Sequence, residues 1–338
     1  MPNEILPSEE ATPTLSRTGV AQGLWDRHDL LQTDTFFPLG FPLTITTNSE
    51  EVLEAAGQSW GLFEQAYSCQ PLVITLLVEG TASDAIPYPP PISRINGRLL
   101  ITMSDAANFI VSDLDHGTAF GKVARPFVNG PLGLRYHFLE TSALSMISTL
   151  RAAALHAACV EWRGRGLLLC GESGAGKSSL AFASAQSGWT YISDDATYLI
   201  LDDPEPTVVG NCHQIRFRDS ATQLFPQLLG RRITPRPAGK PSIELPTTEF
   251  PSLLKKNTAE IAYIVFLHRV DGITPGLFPL ESKVASDYFT RSLLLPPSED
   301  SSGTKTLRRL LRAPVFELRY TDLHSAIEQI KGLVEREI

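Results

Sequence analysis

The segment Gly166–Ala183 reads GLLLCGESGAGKSSLAFA, and within it Gly171, Gly176, Lys177 and Ser178 meet the pattern G-x-x-x-x-G-K-[ST]. The chemistry open to such a spacing is phosphate binding. Glycines reach backbone angles closed to other residues, so successive main-chain N–H groups converge on one set of phosphate oxygens. A helix starting directly afterwards points the positive end of its dipole at the same place. Lys177 then reaches the terminal phosphates of a nucleotide and Ser178 offers its hydroxyl to Mg²⁺. The run Gly171, Glu172, Ser173, Gly174, Ala175, Gly176, Lys177, Ser178 and Ser179 is therefore the expected nucleotide-binding loop.

Two adjacent carboxylates, Asp194 and Asp195, follow at the end of WTYIS. A parallel strand beside the loop strand would end next to the phosphates. One carboxylate there would hold the metal, and the other would accept the proton of an attacking hydroxyl. Mutual repulsion raises the pKa of one of the two. Neighbours on a regular strand face opposite sides, so both reach one site only where the strand ends or bulges. Further on, GNCHQIRFRDS carries Arg216 and Arg218, either of which could bring positive charge to a transferring phosphoryl group.

These residues need elements to place them. The apolar LLLC reads as a strand entering the loop, and KSSLAFASAQ as a helix leaving it, stopped by Gly188. HAACVEW and RGLLLC read as two strands joined by RGRG, and TYISDDATYLIL as a strand broken at the aspartates. IAYIVFLHRV and FELRY are further strands, followed by a closing helix capped by Thr321. Upstream, PLTITTN alternates, and SEEVLEAAGQSWGLFEQA is a helix with Ser49 as its N-cap. Within it Trp60, Phe63 and Tyr67 are expected in the core. PLVITLLVEG, GRLLITMS and the hairpin NFIVSDLDHGTAFGKV complete that half. ETSALSMISTLRAAALHAACVEW reads as a helix running towards a strand. The chain thus divides into a flexible polar tail over 1–22, a mixed α/β domain over 23–150 and a loop-bearing domain over 151–338.

Composition excludes several function classes. A net charge of -8 argues against nucleic acid as a partner. The local basic stretch GRRITPRPAGK, Gly230–Lys240, reads as a solvated or anion-contacting loop. Four cysteines without CxxC spacing make neither a zinc site nor a disulfide framework. No apolar run approaches the roughly 20 residues of a membrane span, and the N-terminus lacks the pattern of a signal peptide. The expectation is a cytoplasmic protein with no membrane partner.

The segment LHAACVEWRGRGLLLCGESGAGKSSLAFASAQSGWTYISDDATYLI, as a whole, resembles the catalytic domain of bacterial HPr kinase/phosphorylase. In that family a histidine opens a strand ahead of the loop, the loop reads G-x-S-G-x-G-K-S, and DD follows one helix later. His156, Gly171 to Ser178 and Asp194–Asp195 stand at those places. The resemblance implies an α/β fold with a P-loop-containing C-terminal domain related to phosphoenolpyruvate carboxykinase. It implies ATP and Mg²⁺ as cofactors and transfer to a hydroxyl, with serine of a protein or peptide as the acceptor. One of Asp194 and Asp195 would be the base and the other a metal contact, with Asp195 and Ser178 as the metal pair. His156 would lie near the phosphates, and Arg216 would carry the positive charge. A homo-oligomer would also be in keeping with the family.

The chain departs from the family in three places. Ser179 stands where the bifunctional enzymes carry glutamate, no E-[VI]-R-G motif is visible, and the N-terminal half does not match the regulatory domain. The closer likeness is to HPr-kinase-like proteins outside sugar regulation. Open alternatives are a small-molecule kinase, a nucleotide-binding regulator without transferase activity, a motor ATPase or GTPase, and a carboxykinase. The GTPase option lacks an NKxD-type signal.

Overall fold

The structure is a computed structural model that describes residues 32–80, 88–130, 132–234, 241–269, 274–294 and 302–335. The expected tail over 1–22, residues 23–31, the end of the basic stretch (235–240) and residues 295–301 lie outside the described residues. It is a mixed α/β protein with several sheets.

The first sheet uses strands β1 (Gln32–Phe36), β2 (Leu43–Thr47), β3 (Leu72–Glu79), β4 (Ile92–Asn96), β5 (Leu99–Asp105), β6 (Asn108–Asp113) and β7 (Thr118–Ala124). Their order is β1-β2-β3-β7-β6-β5-β4. β2, β3 and β7 run parallel, with helix α1 (Glu50–Trp60) as the crossover between β2 and β3. One face of this sheet is covered by α1, a short helix α2 (Arg125–Val128), a π-helix over Gly133–Glu140 and helix α3 (Thr141–Leu150). Alternation in β2 places Leu43 and Ile45 in the core, where they meet Val52, Phe138 and Met146. Ser49 is the N-cap residue of α1, but its hydroxyl bonds the Glu51 carboxylate rather than a backbone amide. α1 ends at Trp60, so Phe63 and Tyr67 lie beyond it; Trp60 and Phe63 are buried, and Tyr67 stacks on Phe41 at 4.2 Å.

After α3 the chain enters β8 (Ala152–Leu155), β9 (Ala158–Trp162), β10 (Arg165–Cys170), helix α4 (Lys177–Gln186), β11 (Thr190–Ser193), β12 (Thr197–Ile200) and β13 (Thr207–Gly210). A small sheet is built from β14 (Gln214–Phe217), β15 (Ile233–Thr234) and β16 (Ser242–Pro246). The chain closes with β17 (Thr258–Arg269), β18 (Gly276–Leu280), α5 (Ser282–Ser292), α6 (Ser302–Leu310), β19 (Val315–Tyr320) and α7 (Leu323–Glu335). The long strand β17 organises this half. Its first residues pair with β13, its middle with β10 and its end with β19. The alanine run Ala152–Ala154 is a strand despite alanine's helix preference, because pairing with β12 and near-complete burial override local propensity. Tyr198, Ile200 and Val209 join the core of the first sheet, so the two halves share packing.

Two expectations are corrected. β11, which leads to the aspartates, is not the neighbour of the loop strand. A tight turn at Arg163 and Gly164, both with positive φ, folds β9 back onto β10, and β17 takes the other edge. β11 therefore pairs with β9. The cap of α7 is Asp322 rather than Thr321: its carboxylate accepts the Ser325 amide at 2.9 Å.

Candidate functional site

β10, β17 and β19 run parallel, and the glycine loop leaves the C-terminal end of β10. This is where parallel strands leave room for a ligand. Gly171, Gly174 and Gly176 have φ of 143°, 96° and 100°. Only glycine adopts these angles without strain, and together they curl the loop around its own interior. The first intrahelical bond of α4 runs from the Leu180 amide to the Gly176 carbonyl. The amides before it have no carbonyl partner within the helix and point their dipoles outward.

Two tyrosines that sequence reasoning missed fix the loop's shape. Tyr288 on α5 accepts the Gly171 amide at 3.2 Å and lies 2.7 Å from the His156 carbonyl. Tyr320, at the end of β19, donates to the Ala175 carbonyl at 2.9 Å. A side chain at Gly176 would meet the Tyr320 hydroxyl at 2.5 Å. Both tyrosines are far away in sequence and belong to no local pattern.

Lys177 is buried, and its ammonium lies 2.7 Å from the Gly171 carbonyl, 3.4 Å from that of Glu172 and 3.0 Å from His156 Nε2. His156, between β8 and β9, points Nδ1 at the Asp195 carboxylate 3.7 Å away. Burial, and next the charge of Lys177, hold the imidazole pKa below its ordinary value. A neutral ring accepts at Nε2 from the lysine and carries its proton on Nδ1, towards Asp195. Burial likewise lowers the Lys177 pKa, with Asp195 and Glu172 acting against it.

His156, Lys177, Ser178, Ser179 and Asp195 line one cavity of 210 Å³ with the loop residues Ser173, Gly174 and Gly176. Arg218 and Arg269 line it too, and Arg218 reaches the Ser173 hydroxyl at 3.4 Å. An added Cβ at Gly174 would meet nothing within 4 Å, so the loop is open on this side. Ser178 donates to the Asp194 carbonyl at 3.1 Å, which ties the start of α4 to the aspartate turn.

Asp194 and Asp195 occupy the break between β11 and β12, and they face different ways. The Asp195 side chain is 54% exposed and lines the loop cavity. Asp194 is only 7% exposed and lines a second cavity of 630 Å³ between the two halves. Close packing explains its burial: β13 crosses β11 so tightly that a Cβ at Gly210 would stand 2.6 Å from Ser193 Cβ. Burial raises the Asp194 pKa to about 7; Arg216 opposes the rise and Asp195 adds to it. The Asp194 carboxylate accepts the Arg216 amide at 2.5 Å.

Arg216 lines this second cavity and not the first. Its guanidinium stands 3.4 Å from Glu244 and donates to Gln214 at 3.0 Å. Burial works against its charge, but Asp194, Glu140 and Glu244 hold its pKa above the ordinary value. Residues two apart share a face only while a strand lasts, and β14 ends at Phe217, which lets Arg218 turn to the loop cavity instead. The placement thus brings the loop, Lys177, Ser178, His156 and Asp195 together, and sets Asp194 and Arg216 behind them.

No protein-family model matches the chain, and no curated protein matches it. Among solved structures, the Hpr(Ser) kinase/phosphatase from Coxiella burnetii aligns over 54% of this chain and 95% of its own, at 15% identity and a TM-score of 0.29. A score that low carries no argument about function. No helix among the described residues is long and apolar enough to cross a membrane.

Proposed function

We propose that this chain is an ATP-dependent kinase of the HPr-kinase-like kind, cytoplasmic, transferring the γ-phosphoryl group to a hydroxyl. The observation that carries the reading is the division of labour at one peptide bond: Asp195 faces the phosphate loop, while Asp194 is a buried carboxyl with a pKa of about 7. A base with that pKa is half ionised at neutral pH and takes a proton effectively.

The residues of the loop cavity fit a nucleotide tail and Mg²⁺. The amides of Gly174, Gly176, Lys177 and Ser178 and the Lys177 ammonium would hold the β- and γ-phosphates, while the Ala175 amide stays bonded to the Glu172 carbonyl. Ser178 and Asp195 would hold Mg²⁺. Among the described residues no group of three or more His, Cys, Asp and Glu could hold a metal, and Mg²⁺ needs none, since it keeps water and phosphate oxygens as most of its ligands. When bound, ATP·Mg²⁺ supplies the phosphoryl group and shields its charge.

Asp194 takes the proton of the acceptor hydroxyl as that oxygen bonds to the γ-phosphorus. With ATP bound, the bond from the γ-phosphorus to the β,γ-bridging oxygen would break as the acceptor oxygen bonds, and ADP would be the leaving group. Arg218 and Arg269 offset negative charge on the transferring group from the cavity wall. His156 keeps Lys177 and Asp195 in register by contacting both.

The test is calorimetric titration with ATP and Mg²⁺, together with transfer of label from γ-labelled ATP. Lys177→Ala is expected to weaken binding by about 10- to 100-fold, the range for a charge-assisted hydrogen bond. Wild-type protein that fails to bind ATP, or a variant that binds as well, would refute the proposal.

A further inference from the structure

The 630 Å³ cavity behind Asp194 has no part in holding the nucleotide, and its size is that of sites that enclose a small molecule. Its wall is drawn from both halves of the protein. Trp60 ends α1, Arg135 and Glu140 lie on the π-helix, Tyr198 is on β12, and Asp194 and Arg216 close the side nearest the loop. A π-helix is rare and is frequently found at functional sites. Here Arg135, Tyr136, His137 and Glu140 of that one segment all line the cavity.

The charges of the wall are internally matched. Arg135 pairs with Glu140 at 3.0 Å, and Arg216 stands 3.4 Å from Glu244. Such a wall has no surplus cation for a phosphate or carboxylate ligand. It still has polar capacity in the side chains of Ser59, Thr141 and Asn211, which also line the cavity. Burial keeps His137 neutral by lowering its pKa, so its ring can both donate and accept. Trp60, Leu144 and Leu294 supply apolar surface.

We infer that this cavity is the acceptor site, and that the acceptor is a small uncharged or zwitterionic hydroxyl compound with an apolar part, enclosed between the two halves. The inference rests on the kinase reading above. A hydroxyl held against Asp194 lies one residue from Asp195, whose carboxylate faces the phosphates, so the Asp194–Asp195 peptide is the wall common to acceptor and donor. A serine on a folded protein would fill only a small part of this volume and would leave its apolar surface at Trp60, Leu144 and Leu294 uncovered.

The experiment incubates the full chain with γ-labelled ATP, Mg²⁺ and the low-molecular-weight ultrafiltrate of a cell lysate, and in parallel with the protein fraction retained by the filter. Two fillings of the α3 wall, Ser145→Trp and Ser148→Tyr, are compared with the wild type, and binding of a fluorescent ATP analogue reports that each variant is folded. The expected result is label in a low-molecular-weight product other than ATP and inorganic phosphate, reduced about tenfold or more in whichever filled variant still binds nucleotide, as steric loss of a site requires. Label confined to the protein fraction overturns the inference and leaves the kinase reading standing. So does label in such a product that both filled variants match. Nucleotide binding with label only in ATP and inorganic phosphate overturns the inference and the transferase step together, whereas absence of nucleotide binding counts against the kinase reading itself.

Discussion

The two cavities on either side of Asp194–Asp195 are built on opposite plans. The loop cavity takes most of its wall from two short stretches of chain, Ser173 to Ser179 and Phe217 to Leu224, completed by His156, Asp195 and Arg269. It is rich in backbone donors and cations, and it suits an anion whatever else that anion carries. The inter-half cavity draws on segments from Leu39 to Leu294, with a matched set of charges and an aromatic edge. A phosphate grip can be local because it relies on main-chain groups that every residue has. Recognition of a particular acceptor needs side chains from many directions, and only tertiary folding brings those together.

The sharpest way to break this contrast is to neutralise the aspartates one at a time. Asp194→Asn is expected to lower phosphoryl transfer by about 10²- to 10⁴-fold, the usual worth of a general base, while leaving the nucleotide dissociation constant unchanged. Asp195→Asn is expected to raise the Mg²⁺ concentration needed for half-maximal rate. Equal effects of both on metal dependence would mean that the two carboxylates share one cavity.

The arginines offer a second separation. Arg216→Ala removes the cation that faces Glu244 and offsets the charge of buried Asp194, while the Asp194 bond to the residue-216 amide survives, so the loss of stability is expected to fall below the about 3–5 kcal/mol of a fully buried ion pair. Exposed Arg218→Ala should leave the melting temperature unchanged and lower the rate. Calorimetric unfolding and initial rates on both variants decide the point; a rate-only defect at Arg216 would contradict its structural pairing.

A smaller effect sharpens the assignment of the base. Below pH 7 the rate at saturating nucleotide should rise about tenfold per pH unit and level off near pH 7, where Asp194 ionises. Linkage gives the matching stability change. The native pKa is raised above the unfolded 3.8, so the unfolded state binds fewer protons between the two values. Stability therefore falls as pH climbs from about 4 to about 7 and is flat beyond, and Asp194→Asn abolishes that slope. A pH profile that levels off near 4 would assign the proton to a different group.

Local pattern revealed the elements most directly. β10, the turn of glycines and α4 are legible in LLLCGESGAGKSSLAFASAQ because strand, loop and helix are contiguous and each has a strong local signature. The break at the aspartates was legible for the same reason, but the opposite facing of Asp194 and Asp195 was not, since both lie at bends between β11 and β12, where the alternation of a strand no longer holds. The position of β11 was not legible, since a strand's neighbour depends on which other strand reaches the edge first, and the β9–β10 turn decided that. Ala152–Leu155 misled in the other direction: alanine favours helix, and burial between elements outweighs a preference of a few tenths of a kcal/mol per residue, about 0.7 at most for ordinary residues.

By itself, the sequence determined a G-x-x-x-x-G-K-S glycine loop and a pair of carboxylates, because both depend on residue types within short reach of each other along the chain. The tertiary structure alone decided that Tyr288 and Tyr320 brace that loop, that Arg218 rather than Arg216 lines its cavity, and that Asp194 is buried deeply enough for its pKa to reach about 7. Each of these depends on where a distant strand or helix ends, and on how much water the packing leaves around a charge.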